Sequence, residues 1–242
     1  MIKHSLIAIA ALCIVGCTSS PPSQTPENTM GGPNVVSTKE TPLTKGTTSL
    51  SLDSGSAARP GQVAIADVLS YGGSQTTITP PTGWQLIRDD STKTTRQSLY
   101  WHAIQANEPG QPTWTFSGPV DAQGAIVLLD NTDTTAPVDI TSGNTSTEGD
   151  LTAKSVATMN YGDLILGFYA TDFVNPGLGP KLPSDVSVVL NHEATPLEYW
   201  ILASYQTKMG NTEVEVAGIP QFFNGVAAQG AIKRGASTSS TP

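Results

Sequence analysis

Downstream of residue 17 the chain carries two histidines, His102 in SLYWHAI and His192 in NHEAT. A histidine base needs a nucleophile beside it, and no G-x-S-x-G turn or thiol is there to supply one. The alternation of SLYWHAI puts His102 on one face with Tyr100 and Ile104, opposite Leu99 and Trp101, which describes a half-exposed strand position. His192 falls in a polar turn facing solvent. Two distant histidines without a cysteine do not meet the ligand spacing of a zinc site. Among the carboxylates, Asp89-Asp90 read as a loop pair, and glycoside hydrolysis wants two carboxyls about 5–10 Å apart across a cleft. Neighbouring aspartates in a turn serve the turn itself. The stretch LDNTDTTAPVD offers Asp130, Asn131, Asp133 and Asp139 as oxygen ligands for Ca2+, without EF-hand spacing. The sequence therefore predicts no catalytic, cofactor or metal residues, with Ca2+ as the weak exception.

Flat aromatic rings bind sugars by stacking, and Trp84, Trp101, Trp114 and Trp200 are the large candidates. Trp114 shares a strand face with Phe116, and Leu99 shares one with Trp101, a pattern of core alternation. Trp84 follows the turn Pro80-Pro81-Thr82-Gly83 and is placed to plug an end of the fold. Any exposed ligand platform is then to be sought at Tyr71, Tyr100, Tyr169 and Tyr199.

The elements that must position these residues are strands. No window of the chain shows a helical apolar period, whereas short β-rich runs recur between Gly, Pro, Asn, Asp and Ser. They fall into two successive sets, giving about 12 strands of an all-β antiparallel sandwich. The sets match in order. GQVAIADV at 61–68 faces GDLILGFY at 162–169, Tyr100-Trp101 faces Tyr199-Trp200, and AQGAI at 122–126 recurs unchanged at 228–232, with offsets between 99 and 106 residues. This points to an internal duplication with pseudo-repeats at about 47–140 and 151–234, joined by the polar segment 141–151 and packed as one sandwich. Glycine in mid-strand marks a close approach. Gly124 is expected under Trp101 or Trp114, and Gly230 under Trp200. The formal charge is −8 and the sequence pI about 4.7, with basic residues scattered apart from Lys233-Arg234. Phosphate binding needs clustered Lys and Arg, so nucleic acid is excluded as a partner.

The first residues read MIKHSLIAIAALCIVGC. Lys3 makes a positive n-region, and the apolar run 6–15 spans about 15 Å as a helix, half a bilayer core. That is the h-region of a signal peptide and too short to cross a membrane. Ile14-Val15-Gly16-Cys17 resembles the lipobox of bacterial lipoproteins. The resemblance implies cleavage after Gly16, lipidation of Cys17 and anchoring in membrane lipid, with residues 1–16 removed. Cys13 leaves with them, so the remaining chain holds no disulfide. In the same resemblance, Thr18 stands where inner-membrane retention uses Asp, which implies a cell-envelope address at the outer membrane. Residues 17–46, rich in Pro, Ser and Thr, read as the lipidated cysteine and a disordered tether, 47–234 as the sandwich, and 235–242 as a disordered tail.

In the first set, GQVAIADV, ITPPTGWQLI, SLYWHAI, PTWTFSG, AQGAIVLLD and APVD follow one another in an order that resembles a jelly-roll-like β-sandwich of bacterial extracellular and phage tail-associated proteins. The likeness is good over about 62–170. It departs after the first AQGAI, where Leu128-Leu129 replaces the usual aromatic. It implies a fold and a surface setting and transfers no site. The combined expectation is a surface lipoprotein whose non-enzymatic sandwich binds a glycan or an envelope protein. The alternatives are an envelope glycan hydrolase or its accessory domain, and a prophage-derived surface protein.

Overall fold

VAIADVLS at 63–70 is apolar almost throughout, too short for a buried helix and rich in residues suited to a pleated surface. In a computed structural model every one of its eight positions is buried. The structure describes residues 31–108, 110–147, 151–158, 160, 162–172, 186–194, 197–205, 212–214 and 224–235. The lipobox, Gly16 and Cys17 lie outside these, as does the tail beyond Gly235. Within them the chain forms β1 (Asn34–Ser51), β2 (Val63–Ser70), β3 (Ile78–Thr79), β4 (Gln85–Ser91), β5 (Arg96–Ala103) and β6 (Thr113–Asp130). There follow β7 (Val138–Ser146), β8 (Val156–Thr158), β9 (Leu164–Thr171), β10 (Val186–Ala194), β11 (Leu197–Tyr205), β12 (Thr212–Val214) and β13 (Gly225–Ile232). One 3-10 turn, Gly73–Gln75, interrupts the strands. No helix among the described residues is long and apolar enough to cross a membrane.

The expected all-β antiparallel sandwich is what forms. One sheet runs β1-β6-β2-β5-β4 and the other, read from its own first strand, β7-β13-β9-β11-β10. These are the same order, strand for strand. Each half of the chain builds one sheet. The sheets face each other across Val63, Ile65, Leu69, Val127 and Leu129 from the first and Leu164, Leu166, Phe168, Val226 and Ile232 from the second. Each such fully buried side chain contributes about 1.5–3 kcal/mol. The outer faces are covered as well. The end of β1 pairs with the start of β6, where Ser49–Ser51 meet Thr115–Thr113, and β8 pairs with β12 in the corresponding place of the second half. Leu50, Leu52, Trp114 and Phe116 lie on the first outer face, and Val156, Ile165 and Tyr169 on the second. Double coverage explains why VAIADVLS at 63–70, LILGFYAT at 164–171 and GVAAQGAI at 225–232 are buried at every position.

The structure moves the expected boundaries. Residues 34–46 belong to β1 and are paired with β6 from Asn34↔Asp130 onward, so the stretch expected as a tether is strand from residue 34. Pro42 had suggested a linker. It sits between the register breaks at Thr41 and Thr44 on an edge strand, where a missing N–H is tolerated. Likewise the expected connector at 141–151 is strand from 141 to 146. β7 is the first strand of the second sheet, pairing with β13 as β1 pairs with β6. The first half therefore begins earlier within the same strand, at Asn34, and the second one strand earlier, at Val138. β1 and β6 are each 18 residues long because they fold over together. Thr47 pairs with Val120 and Ser49 with Thr115, and the bend in β6 falls at Gly118-Pro119 between those partners.

The repeated AQGAI occupies equivalent strands with opposite facing. Ala122 and Ile126 point to the outer core and Ala125 to the core between the sheets. In β13, Ala228 and Ile232 point between the sheets and Ala231 outward. The pairing shows the same displacement, since Val63 partners Leu129 while Leu164 partners Ile232. Gly124 is not under a tryptophan. A Cβ there would run into the Asp67 backbone carbonyl and lie 3.2 Å from Leu52 Cδ2. At Gly230 a Cβ would meet Thr141 Cγ2 at 3.6 Å, an ordinary contact, and the Trp200 side chain lies outside the described residues. Gly124→Ala should therefore lower stability by about 1–3 kcal/mol by forcing β2 and β6 apart. Gly230→Ala should be neutral or gain up to about 1 kcal/mol by restricting the unfolded chain. Thermal melts of the two variants check this, and equal losses would contradict it.

Candidate functional site

The turn at 81–84 closes with Trp84 N–H donating to Pro81 O at 3.3 Å, and Gly83 at φ +89° supplies the left-handed position that a type II turn requires. A Cβ on Gly83 would press on His102 Cε1 at 3.1 Å. The turn thereby delivers Trp84 onto the outer face of the first sheet, where β5 presents His102 on the same face as Tyr100 and Ile104. The Trp84 and His102 rings stack with centroids 5.3 Å apart and planes at 26°. Trp114 from β6 meets Trp84 edge-on at 4.9 Å and 67°, and Tyr100 lies 6.0 Å beyond Trp114. The connection after β5 turns at Asn107 (φ +65°) and brings in Glu108. These groups enclose a pocket of about 180 Å³ lined by Ser54, Pro81, Thr82, Trp84, His102, Ile104, Glu108 and Pro112.

Both His102 ring nitrogens face acceptors. Nδ1 is 2.9 Å from Gly83 O, and Nε2 is 2.8 and 2.9 Å from the two Glu108 oxygens. Glu108 Oε1 also accepts from the Gln105 amide at 2.8 Å. Ser54 borders the same pocket, so serine, histidine and glutamate occur together. No imidazole nitrogen is left to take the serine proton, however, so the arrangement lacks the nucleophile–base contact. It sets apolar walls beside a carboxylate held by His102 and the Gln105 amide. Sequence reading placed His102 and Trp84 correctly on their elements and missed Glu108, whose only signal is a carboxylate six residues after a strand histidine.

The remaining candidates do not converge. Asp89 and Asp90 lie in β4 and not in a loop. Asp89 accepts from Arg96 Nε at 2.8 Å and Ser98 Oγ at 2.9 Å, while Asp90 accepts from Arg88 Nη2 at 2.7 Å. Alternation along the strand puts the pair on opposite faces and each serves an arginine. His192 lies in β10, where its Nδ1 pairs with Glu40 of β1 across the paired sheet edges, so it is not the solvated turn residue expected. In the Ca2+ candidate loop, Asp130 accepts from Arg59 and, at 3.1 Å, from Gln62 Nε2. Asp133 Oδ1 caps a turn through the Thr135 and Ala136 amides at 2.8 and 3.2 Å, Asn131 takes φ +55°, and Asp139 lies in β7 near Asp163. Among the described residues no three His, Cys, Asp or Glu side chains gather as a metal site. Trp114 is fully buried and Trp101 half-buried against the inter-sheet core. Tyr100 and Tyr169 are core residues and not platforms. The Tyr71 hydroxyl accepts from Gln123 Nε2 at 2.9 Å. The Tyr199 and Trp200 side chains lie outside the described residues.

Sequence reading also passed over Asp67, the one charge within VAIADVLS. It shares the inter-sheet face with Val63, Ile65 and Leu69 and is fully buried. Gln97 Nε2 donates to its Oδ2 at 3.1 Å, and its Oδ1 has no partner. Burial pushes its pKa up to about 8, against a smaller lowering from Gln97. Burial also raises the Tyr71 hydroxyl, with the Asp67 charge adding to it. Asp163, just before β9, is pushed up to about 6 by burial and then by Asp139. Comparison with protein-family models, with curated proteins and with solved structures returns no match.

A pH dependence follows from Asp67. Unfolded, its carboxyl ionises near 3.8, while folded it keeps the proton to about 8. Between those values the folded form binds the extra proton, so stability falls as pH rises from about 4 to about 8 and then levels off. Asp67→Asn keeps a hydrogen-bonding group and removes the ionisation. It should flatten the profile and raise Tm at pH 9 by at least ~2–4 °C, about 1 kcal/mol for a chain of this size. Melts from pH 5 to 9 on both proteins check this, and parallel profiles would refute it.

Proposed function

We propose that the chain is a lipid-anchored envelope protein whose β-sandwich binds a ligand at the Trp84–His102–Glu108 pocket without turning it over. The observation that carries this reading is that both His102 nitrogens are already bonded in a pocket that otherwise offers apolar walls, two hydroxyls and one carboxylate. Such a site retains and orients a group, and its histidine has no free nitrogen to take a proton from a bound hydroxyl. The envelope address rests on the n-region, the apolar run and Ile14-Val15-Gly16-Cys17. Acyl chains on Cys17 would hold the chain at a membrane, since each buried CH₂ contributes about 0.8 kcal/mol. Residues 18–33 would then stand between lipid and β1, a shorter spacer than the composition alone suggested.

Two measurements test the two parts. Metabolic labelling with a palmitate analogue should mark the wild-type protein and leave Cys17→Ser unmarked; equal labelling overturns the anchor. Incubation of the purified protein with envelope fractions should give specific retention, reduced at least about tenfold by Trp84→Ala, with no released product. Accumulation of a cleavage product that Glu108→Gln abolishes would replace binding by catalysis.

A further inference from the structure

The pocket's walls and charge restrict its ligand. Trp84 has one face on the His102 ring, lies 4.9 Å from Trp114 and is only 9% exposed, so it offers no broad open face for the stacking that a sugar ring uses. The lining is apolar at Pro81, Trp84, Ile104 and Pro112, contains no Lys or Arg, and its polar groups are the Ser54 and Thr82 hydroxyls, His102 and the Glu108 carboxylate that His102 partners. Glu108 Oε1 takes both His102 and the Gln105 amide, whereas Oε2 takes only His102, so Oε2 retains acceptor capacity. At about 180 Å³ the cavity admits one side chain or one small ring, below the ~300–1,000 Å³ of sites for drug-sized ligands. The formal charge of −8 draws cations toward the molecule from a distance.

From this geometry we infer that the pocket takes the side chain of a lysine from a partner protein. The methylene stem lies along Trp84, Ile104 and the two prolines, as amphipathic lysine stems do on apolar surfaces. The ammonium group reaches Glu108 Oε2, with the Ser54 and Thr82 hydroxyls at hand as acceptors. The inference rests on the binding reading above and narrows it from glycan or protein to protein.

The test uses the full chain purified in detergent and Nα-acetyl-lysine N-methylamide as the probe, with indole N–H resonances assigned by Trp84→Phe. The expected result is a saturable shift of the Trp84 signal. The uncharged norleucine analogue, which has a similar stem, should bind about 10–100-fold more weakly. Glu108→Gln should lose a similar factor while its melting point stays near wild type. Should that variant unfold, salt decides instead, because binding of a cation to a part-exposed carboxylate weakens as ionic strength rises. No saturable shift, an equal response to norleucine, or salt-independent binding would overturn the lysine assignment. A shift by methyl pyranosides in place of the lysine probe would also overturn it, while leaving the pocket as a binding site.

Discussion

Everything in this molecule hangs on the contact between two sheets that are apolar on both of their faces. Val63, Ile65 and Val127 meet Leu166, Phe168 and Val226 between the sheets. The alternate positions Ala64, Ala66 and Leu128 turn to a second core on the far side of the same strands. Neither sheet can stand in water alone, because removing its partner exposes a contiguous apolar face far larger than monomeric proteins leave open. The duplicated strand order satisfies both halves at once, each sheet serving as the cover the other requires. The edges reinforce the arrangement, with Arg88 of β4 reaching Thr141 of β7 at one side and Glu40 of β1 pairing with His192 of β10 at the other.

Burial on both faces also sets the terms for polar groups. Asp67 and its glutamine neighbours occupy the inter-sheet face with several oxygens lacking partners, and the carboxyl answers by holding its proton. The pocket lies on the opposite, outer face, where the small cover formed by β3, the end of β1 and the start of β6 leaves the Trp84 end partly open. There His102 and Glu108 satisfy each other without losing solvent.

How much of this the sequence disclosed depended on how many faces each element buries. VAIADVLS, AQGAIVLLD and LILGFYAT were legible as strands because double burial makes them continuously apolar. The order of matched segments gave the two halves, since the structure repeats one strand order. Edge strands were illegible. β1 and β7 are only half-buried, tolerate Pro42 and many Ser and Thr, and so read as linker. Asp89-Asp90 looked like a loop pair because each is neutralised by an arginine, Asp90 by Arg88 on the same strand and Asp89 by Arg96 on the next, and the cross-strand contact has no signature in local sequence. Glu108 was hidden for the same reason. The AQGAI string suggested positional equivalence, but strand pairing depends on which face a residue occupies, and a displacement of three residues turns an identical string inside out.

The length of β1 has a mechanical meaning. It is the first described strand, it runs along an open edge, and it is bonded to β6 from Asn34 to Ser51, on both the main sheet and its outer cover. A pull arriving from the N-terminal side and directed along the strand loads these bonds in parallel, so they must shear together. The same pull directed across the edge opens them singly from Asn34. The grip of this domain on whatever lies N-terminal to it is therefore directional, stiff along one axis and weak across it.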